Sequence, residues 1–242
     1  MSVKILVNGV AGAGKTDLLR SFGEEIFVVS RDAKEFSLPL PHVLIAEYTN
    51  MTVLIDLITE KIHAYEERFG KLPEVVAIDS VSQITMDVID TASKTPNVYG
   101  SQGAEISREM GMLVKFLHED LELSGISLLL LNHVIPESDE GKLTGSYAQF
   151  GQGKFLQKGG FYASTNEAIT VVNEKGHRVV YTRGVDKQAR TMCNEIPDKM
   201  WVANTVHPEK SKKLLEGEQY FSLKDHFNLL VSQQANNKKW SF

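Results

Sequence analysis

Three glycines, a lysine and a threonine lie within eight residues near the start of the sequence, Gly9-Val10-Ala11-Gly12-Ala13-Gly14-Lys15-Thr16. Glycines at this spacing let backbone amides converge on phosphate oxygens without obstruction by side chains. The lysine then supplies a cation to the β- and γ-phosphates, and the threonine hydroxyl can bind Mg²⁺. The spacing predicts a P-loop, a site for a nucleoside triphosphate, with ATP and Mg²⁺ as the expected cofactors.

Carboxylates at other positions would complete such a site. Asp79 follows the apolar residues 75–78, so we expect it at the carboxyl end of a buried strand, where ligands of parallel sheets bind. There it can hold Mg²⁺ directly or through water. Hydrolysis also needs a carboxylate that orients the attacking water. Asp32, just past the second apolar run, is the first candidate, and Glu35 and Glu47 are the alternatives.

A polar pair, Asn132 and His133, follows the most apolar run of the chain, residues 126–131. If that run is a strand of the same sheet, His133 lies beside the γ-phosphate and can report the state of the nucleotide to the loop that follows. A histidine at a strand end can also be purely structural, and the sequence leaves both interpretations open.

The loop that follows, residues 134–160, is rich in Gly, Ser and Gln and has no periodicity. Its length exceeds that of a routine connection, which indicates a functional loop. Its cations can neutralise phosphates and its aromatic rings can stack on bases, although the same features could also bind a protein partner. The candidate DNA contacts are Lys142, Tyr147, Phe150, Lys154, Phe155 and Lys158.

Composition limits the choice of function. The chain has 242 residues, a formal net charge of −5 and one cysteine, Cys193. The acidic balance argues against a protein that coats nucleic acid with its whole surface, although basic residues outnumber acidic ones between Gly141 and Arg190. A single cysteine excludes an intrachain disulfide and fits a reducing cytoplasm. No apolar run approaches the roughly 20 residues of a membrane helix, and the N-terminus does not resemble a signal peptide.

The elements that must position these residues alternate between strands and helices. Short apolar runs predict strands over residues 3–7, 26–29, 43–46, 75–78 and 126–131, with a hairpin over 167–172 and 178–181. Helical spacing predicts one helix from about Lys15 and another that follows the strand 75–78 and ends at residue 89. It predicts three more helices over 51–69, 104–123 and 223–232. This pattern predicts an α/β fold with a mainly parallel central sheet flanked by helices and a C-terminal β-hairpin. We expect a core over residues 1–190 and a C-terminal extension over 191–242.

The order of these motifs resembles the RecA-type recombinase core over about residues 3–185. The resemblance rests on the P-loop and on four further segments: Ile78-Asp79-Ser80-Val81, Leu131-Asn132-His133-Val134, the helix with Met110-Gly111-Met112-Leu113, and Gly159-Gly160-Phe161-Tyr162-Ala163-Ser164. His133 stands where that family usually has Gln, and related ring helicases of the same fold use His there. Asp32 falls where the family carries its catalytic Glu, so the resemblance implies an ATPase whose turnover is slow.

The resemblance also implies partners. Residues 92–103 and 134–160 correspond to the two loops that face single-stranded DNA in the family. The family acts as homo-oligomers, in rings or filaments, and Lys187 and Arg190 would suit cations that reach the γ-phosphate of a neighbouring subunit. A single-strand-binding protein is a further expected partner.

We also expect a departure from classical recombinases, with the chain starting at the first core strand and lacking a large C-terminal domain. In this it is similar to the short RecA-core recombinases of bacteriophages, the single-strand annealing proteins. The expected function is therefore ATP-dependent binding of single-stranded DNA that promotes strand annealing or pairing in phage-type recombination. The alternatives are an ATP-switched partner or loader of a replication complex and a small-molecule kinase, for which no Arg-rich lid is evident.

Overall fold

The computed structural model describes residues 2–31, 39–94, 96, 98–134, 161, 165–174, 177–184, 189–193, 195–202 and 220–238. Within these ranges the strands are β1 (Lys4–Gly9), β2 (Ile26–Ser30), β3 (His42–Leu44), β4 (Val75–Asp79), β5 (Ser127–His133), β6 (Glu167–Glu174), β7 (His177–Tyr181) and β8 (Lys199–Trp201).

The described strands form one eight-stranded sheet in the order β3-β2-β4-β5-β1-β6-β7-β8. Strands β1 to β6 run parallel to one another, and β7 is antiparallel to both of its neighbours. The predicted α/β class and mainly parallel sheet are confirmed, and so is the predicted hairpin, which is formed by β6 and β7.

The described helices are α1 (Lys15–Leu18), α2 (Met51–Phe69), α3 (Val81–Ser93), α4 (Ser101–Lys115), α5 (Leu121–Leu123) and α6 (Leu223–Lys238). A 3₁₀ segment, Leu19–Glu25, continues α1, and a π-helical turn, Phe116–Asp120, joins α4 to α5. Helix α2 has the predicted bounds, because the Asn50 side chain caps its start and Gly70, at a φ of 72°, ends it. In the described parts of the chain, none of these helices combines the length and the apolarity that crossing a membrane requires.

Side chains of the central strands alternate between two apolar layers. Ile5 and Val7 face the layer that contains the 3₁₀ segment and α6, whereas Leu6 faces the layer formed with α2, α3 and α4. Phe22 and Phe227 meet edge to face in the first layer, with ring centroids 5.5 Å apart. Burial on both faces explains why these strands are almost uniformly apolar and why the polar residues collect at their ends.

Three sequence predictions need correction. The predicted loop 92–103 is shorter, since α3 continues to Ser93, with Ala92 buried, and α4 begins at Ser101. The helix predicted over 104–123 is interrupted by the π-helical turn. Strand β8 was not predicted, and α6 extends beyond the predicted end at residue 232.

Candidate nucleotide-binding site

The sheet order brings the carboxyl ends of three strands together. Strand β5 lies between β4 and β1, and in this register His133 is the partner of Gly9 and Leu131 the partner of Asp79. Because these strands are parallel, Asp79, His133 and the start of the P-loop all lie at the same edge of the sheet. The geometry thus joins three of the segments that the sequence singled out.

The loop itself depends on its glycines. Gly12 and Gly14 adopt φ values of 77° and 89°, in the left-handed region that glycine tolerates best. A Cβ atom on Gly9 would stand 2.8 Å from the carbonyl oxygen of Val171, so β1 and β6 could not approach as closely with any larger residue. Helix α1 begins directly after Gly14, and its first amides therefore open into the loop.

The Lys15 ammonium is buried at the centre of the loop, where only 4% of the residue is exposed. Its Nζ donates to the carbonyl oxygens of Gly9 at 2.8 Å and Val10 at 3.1 Å, and lies 3.2 Å from Nδ1 of His133. Burial lowers the pKa of Lys15 to about 8, and the nearby charge of Asp79 offsets this only in part. A buried cation held by neutral acceptors is suited to receive an anion.

The contact with Lys15 also indicates the protonation of His133. An ammonium group donates hydrogen bonds and accepts none, so Nδ1 must act as the acceptor and the ring proton belongs on Nε2. The backbone N–H of His133 donates to the Ser82 hydroxyl at 2.7 Å. The last residue of β5 is thereby joined both to the lysine of the P-loop and to helix α3.

The predicted metal ligands, Thr16 and Asp79, are also in contact. The Thr16 hydroxyl donates to Oδ2 of Asp79 at 2.5 Å, and Asp79 is buried. Among the described residues there is no cluster of three or more His, Cys, Asp or Glu side chains that could hold a metal. A P-loop site needs no such cluster, because Mg²⁺ takes most of its ligands from phosphates and water. A hydroxyl beside a carboxylate fits this requirement.

A chain of buried polar side chains lies behind the site and connects three elements. Asn132 donates from Nδ2 to Oδ1 of Asn8 at 3.0 Å and accepts at Oδ1 from the Ser82 hydroxyl at 2.6 Å. Asn8 is on β1, Asn132 on β5 and Ser82 on α3. Each of these polar groups is buried, so the hydrogen bonds hold the strand ends and the helix in one arrangement.

Sequence reasoning missed Arg178 as a residue of this site. Arg178, on β7, donates from Nη1 to Oδ2 of Asp17 at 2.5 Å, which places its guanidinium against the first turn of α1. A Cβ atom on Gly14 would stand 2.5 Å from its Nε. The sequence gives only a basic residue in a hairpin, because the order of the strands is needed to bring β7 near the P-loop.

The structure does not bring all predicted residues together. Glu47 is exposed beside Arg31, whose guanidinium is held by Asp87 at 2.8 Å. Arg190 pairs through its backbone with Ala168 and donates from its guanidinium to the Thr165 carbonyl of the same chain. The other candidates lie outside the described residues: Asp32, Glu35, Lys142, Tyr147, Phe150, Lys154, Phe155, Lys158 and Lys187.

Comparisons with known proteins matched the chain to no protein-family model and to no curated protein.

Proposed function

We propose that this chain is an ATP-dependent single-stranded DNA-binding protein with a RecA-type P-loop ATPase core, which promotes strand annealing or pairing in phage-type homologous recombination. The observation that carries the proposal is the 3.2 Å contact between Lys15 Nζ and His133 Nδ1. It links the lysine that would bind phosphate to the last residue of β5, and β5 leads into the candidate DNA loop 134–160.

Nucleotide binding would use the buried cation and the loop amides. Gly12 and Gly14 keep the amides clear of side chains, and Lys15 offers its charge to the β- and γ-phosphates. In the structure the three N–H groups of Lys15 serve Gly9, Val10 and His133. Phosphate oxygens must therefore replace at least one of these acceptors.

The switch follows from that exchange. When Lys15 turns towards phosphate, Nδ1 of His133 loses its donor, and the hydrogen-bonding state at the end of β5 changes. His133 remains tied to Ser82 through its backbone, so the change is directed to its side chain and to the chain that follows it. We expect this to change the affinity of loop 134–160 for DNA, since coupling requires a difference in contacts between the two states.

Hydrolysis would reset the switch. Thr16 and Asp79 are the residues that would hold Mg²⁺, which neutralises charge on the β- and γ-phosphates when it is bound. Asp32 is proposed to orient the attacking water, with Glu35 and Glu47 as alternatives. Because aspartate is one methylene shorter than the usual glutamate, we expect slow turnover, with nucleotide binding as the main event.

The test is the affinity for a labelled oligonucleotide, measured by fluorescence anisotropy with ATP, with a non-hydrolysable analogue and without nucleotide. We expect binding that strengthens with nucleotide and weakens as the salt concentration rises. Lys15→Ala should remove the nucleotide effect. His133→Ala should retain ATP binding but lose the coupling, while His63→Ala, an exposed histidine on α2, should behave as the unchanged protein.

Absence of DNA binding in the presence of nucleotide would contradict the proposal. ATP binding accompanied by indifference to DNA would instead favour the ATP-switched loader. Transfer of phosphate to a nucleoside in a coupled assay would favour the kinase.

A further inference from the structure

The Arg178 guanidinium lies directly against the P-loop. A Cβ atom on Gly14 would stand 2.5 Å from Nε, 2.6 Å from Cζ and 2.9 Å from Nη1. The missing side chain of this glycine therefore makes room for a cation as well as for the left-handed turn. The guanidinium of Arg178 therefore lies next to the loop that, under the proposed function, binds the phosphates.

The backbone of Arg178 is held by a hydrogen bond next to β8, whereas its guanidinium has N–H donors that can bind a further acceptor. Its carbonyl oxygen accepts from the Val202 N–H at 3.0 Å, next to the β7–β8 pairing. Within the part of the chain that the structure describes, the guanidinium donates to Asp17 alone, through Nη1. Arginine has five N–H donors, and 35% of this side chain is exposed, so further donors remain for an incoming acceptor.

Asp17 supplies the negative charge that now faces Arg178. Burial would raise the pKa of the Asp17 carboxyl, but the hydrogen bonds and charges of Arg178 and Arg20 outweigh burial and lower it. The carboxylate is thus ionised at neutral pH and lies in the first turn of α1, where loop amides would hold the α- and β-phosphates.

The two cations of the site approach from opposite sides of β1. Lys15 reaches towards His133 on β5, whereas Arg178 extends from β7, beyond β6 on the other side. A phosphate chain lying on the loop at the end of β1 would pass between them. Lys15 would serve its β- and γ-phosphate end, which leaves the α/β end for the cation beside Gly14 and Asp17.

We infer that Arg178 is a second phosphate ligand of the nucleotide, supplied in cis by β7, and that its guanidinium binds the α- or β-phosphate beside Gly14. This inference rests on the proposed nucleotide site and names a ligand within it. A guanidinium can serve a carboxylate and a phosphate together, because its donors lie in a planar fork. The β6–β7 hairpin is then in direct contact with the nucleotide.

The test is a set of dissociation constants for MgATP and MgADP, measured by isothermal titration calorimetry. Arg178→Gln keeps an aliphatic stem against Gly14 but removes the charge, and should weaken both nucleotides by about tenfold or more. The loss should be equal for ATP and ADP, because the α- and β-phosphates are common to both. Arg20→Ala removes a cation paired with the same Asp17 at 3.1 Å and should stay close to the unchanged protein.

Asp17→Asn distinguishes two roles of Arg178, that of a phosphate ligand and that of a purely structural partner of Asp17. It breaks the same ion pair as Arg178→Gln but leaves the guanidinium in place, so nucleotide affinity should be retained or increased. Thermal denaturation without nucleotide provides the fold control, since both variants lose the ion pair between Arg178 and Asp17. Asp17→Asn also loses the ion pair with Arg20 and should lower the midpoint at least as much as Arg178→Gln does. Equal weakening by Asp17→Asn and Arg178→Gln, equal behaviour of Arg178→Gln and Arg20→Ala, or a loss confined to ATP would overturn the inference.

A failure of the proposed nucleotide site would give results that differ from a failure of the inference about Arg178. If the unchanged protein binds no ATP, or if Lys15→Ala binds it normally, the nucleotide site itself is wrong. If binding depends on Lys15 but is unaffected by Arg178→Gln, only the role of Arg178 is wrong.

Discussion

Lys15 shows how a buried charge can prepare a fold for its ligand. Taking an ammonium group out of water is costly, and three neutral acceptors compensate for this only in part. The remaining cost appears as the lowered pKa of about 8. A polyphosphate would offset that cost by supplying opposite charge, so under the proposed function the buried ammonium group favours nucleotide binding.

This leads to a prediction about pH. Burial lowers the pKa of Lys15 to about 8, and phosphate oxygens beside the ammonium should raise the pKa again. Between those two pKa values the complex holds a proton that the free protein has lost, so ATP binding takes up a proton. We expect the dissociation constant of MgATP to increase above pH 8, by up to about tenfold per pH unit.

Calorimetry in buffers of different ionisation enthalpy measures the proton uptake directly. Lys15→Arg is the control, because a guanidinium stays charged over this range and its profile should be flat. An equally steep profile in Lys15→Arg, or no proton uptake by the unchanged protein at pH 8.5, would show that Lys15 is not the titrating group.

A polar network connects the strand ends at the candidate site, beside the apolar core. Asn8 on β1, Asn132 on β5 and Ser82 on α3 are buried and hydrogen-bonded to one another. Ser82 occupies the centre, since it donates to Asn132 and accepts from the His133 N–H. One chain of hydrogen bonds therefore connects α3 and the end of β5 to the P-loop strand β1.

Ser82→Ala should destabilise the protein. It removes one donor and one acceptor from a buried network and leaves the Asn132 oxygen and the His133 N–H without this partner. The free energy of unfolding should fall by about 1–3 kcal/mol, measured by urea denaturation. Ser124→Ala removes an exposed hydroxyl that donates to the Asp120 carbonyl, and its effect should stay within about 0.5 kcal/mol. Equal effects would mean that the network adds nothing.

Local signals account for most of the elements that the sequence predicted. Helix α2 was predicted with its observed bounds because its apolar residues follow helical spacing and Gly70 ends the run. Strand β8 was missed because it has three residues and gains its stability from pairing with β7, which no local pattern reveals. The start of α4 was placed three residues late, since Gly100 in a left-handed conformation precedes a polar first turn.

The residues of the candidate site also fall into two groups, those that the sequence predicted and those that it did not. The P-loop, Asp79 and His133 could be found from residue types and spacing, because each lies at the end of an apolar run. Arg178 could not be found, because its approach to Gly14 depends on the order β1-β6-β7 in the sheet. Site residues that belong to a local motif can thus be predicted from the sequence. A residue that reaches the site only through the order of the strands cannot.

If the chain binds DNA as proposed, its charge and its exposed side chains indicate which residues would make the contacts. With a net charge of −5, the protein cannot rely on a generally positive surface to attract nucleic acid. Under the proposed function, local contacts would supply much of the affinity for DNA. Among the described residues, Tyr99 is the most exposed large apolar side chain, and it lies in the loop between α3 and α4. Under the proposed function this loop would be the first of the two that face DNA.

Tyr99→Ala should weaken the ATP-dependent binding of single-stranded DNA. The ring is fully exposed, at 104%, on a backbone with a φ of 51°, and Val98 beside it is also exposed. Stacking of one base on an aromatic ring contributes about 1–3 kcal/mol, so the dissociation constant should rise about five- to 150-fold. Stacking is not ionic, and the slope of affinity against salt concentration should therefore stay the same.

Two comparisons make the result interpretable. Leu123→Ala truncates another exposed apolar side chain, at the end of α5, and should leave DNA affinity unchanged. Tyr99→Phe keeps the ring and should bind as the unchanged protein does, since stacking needs the π face and not the hydroxyl. If Tyr99→Ala and Leu123→Ala bind DNA equally well, the loop between α3 and α4 makes no contact with bases, and loop 134–160 must supply the contacts alone.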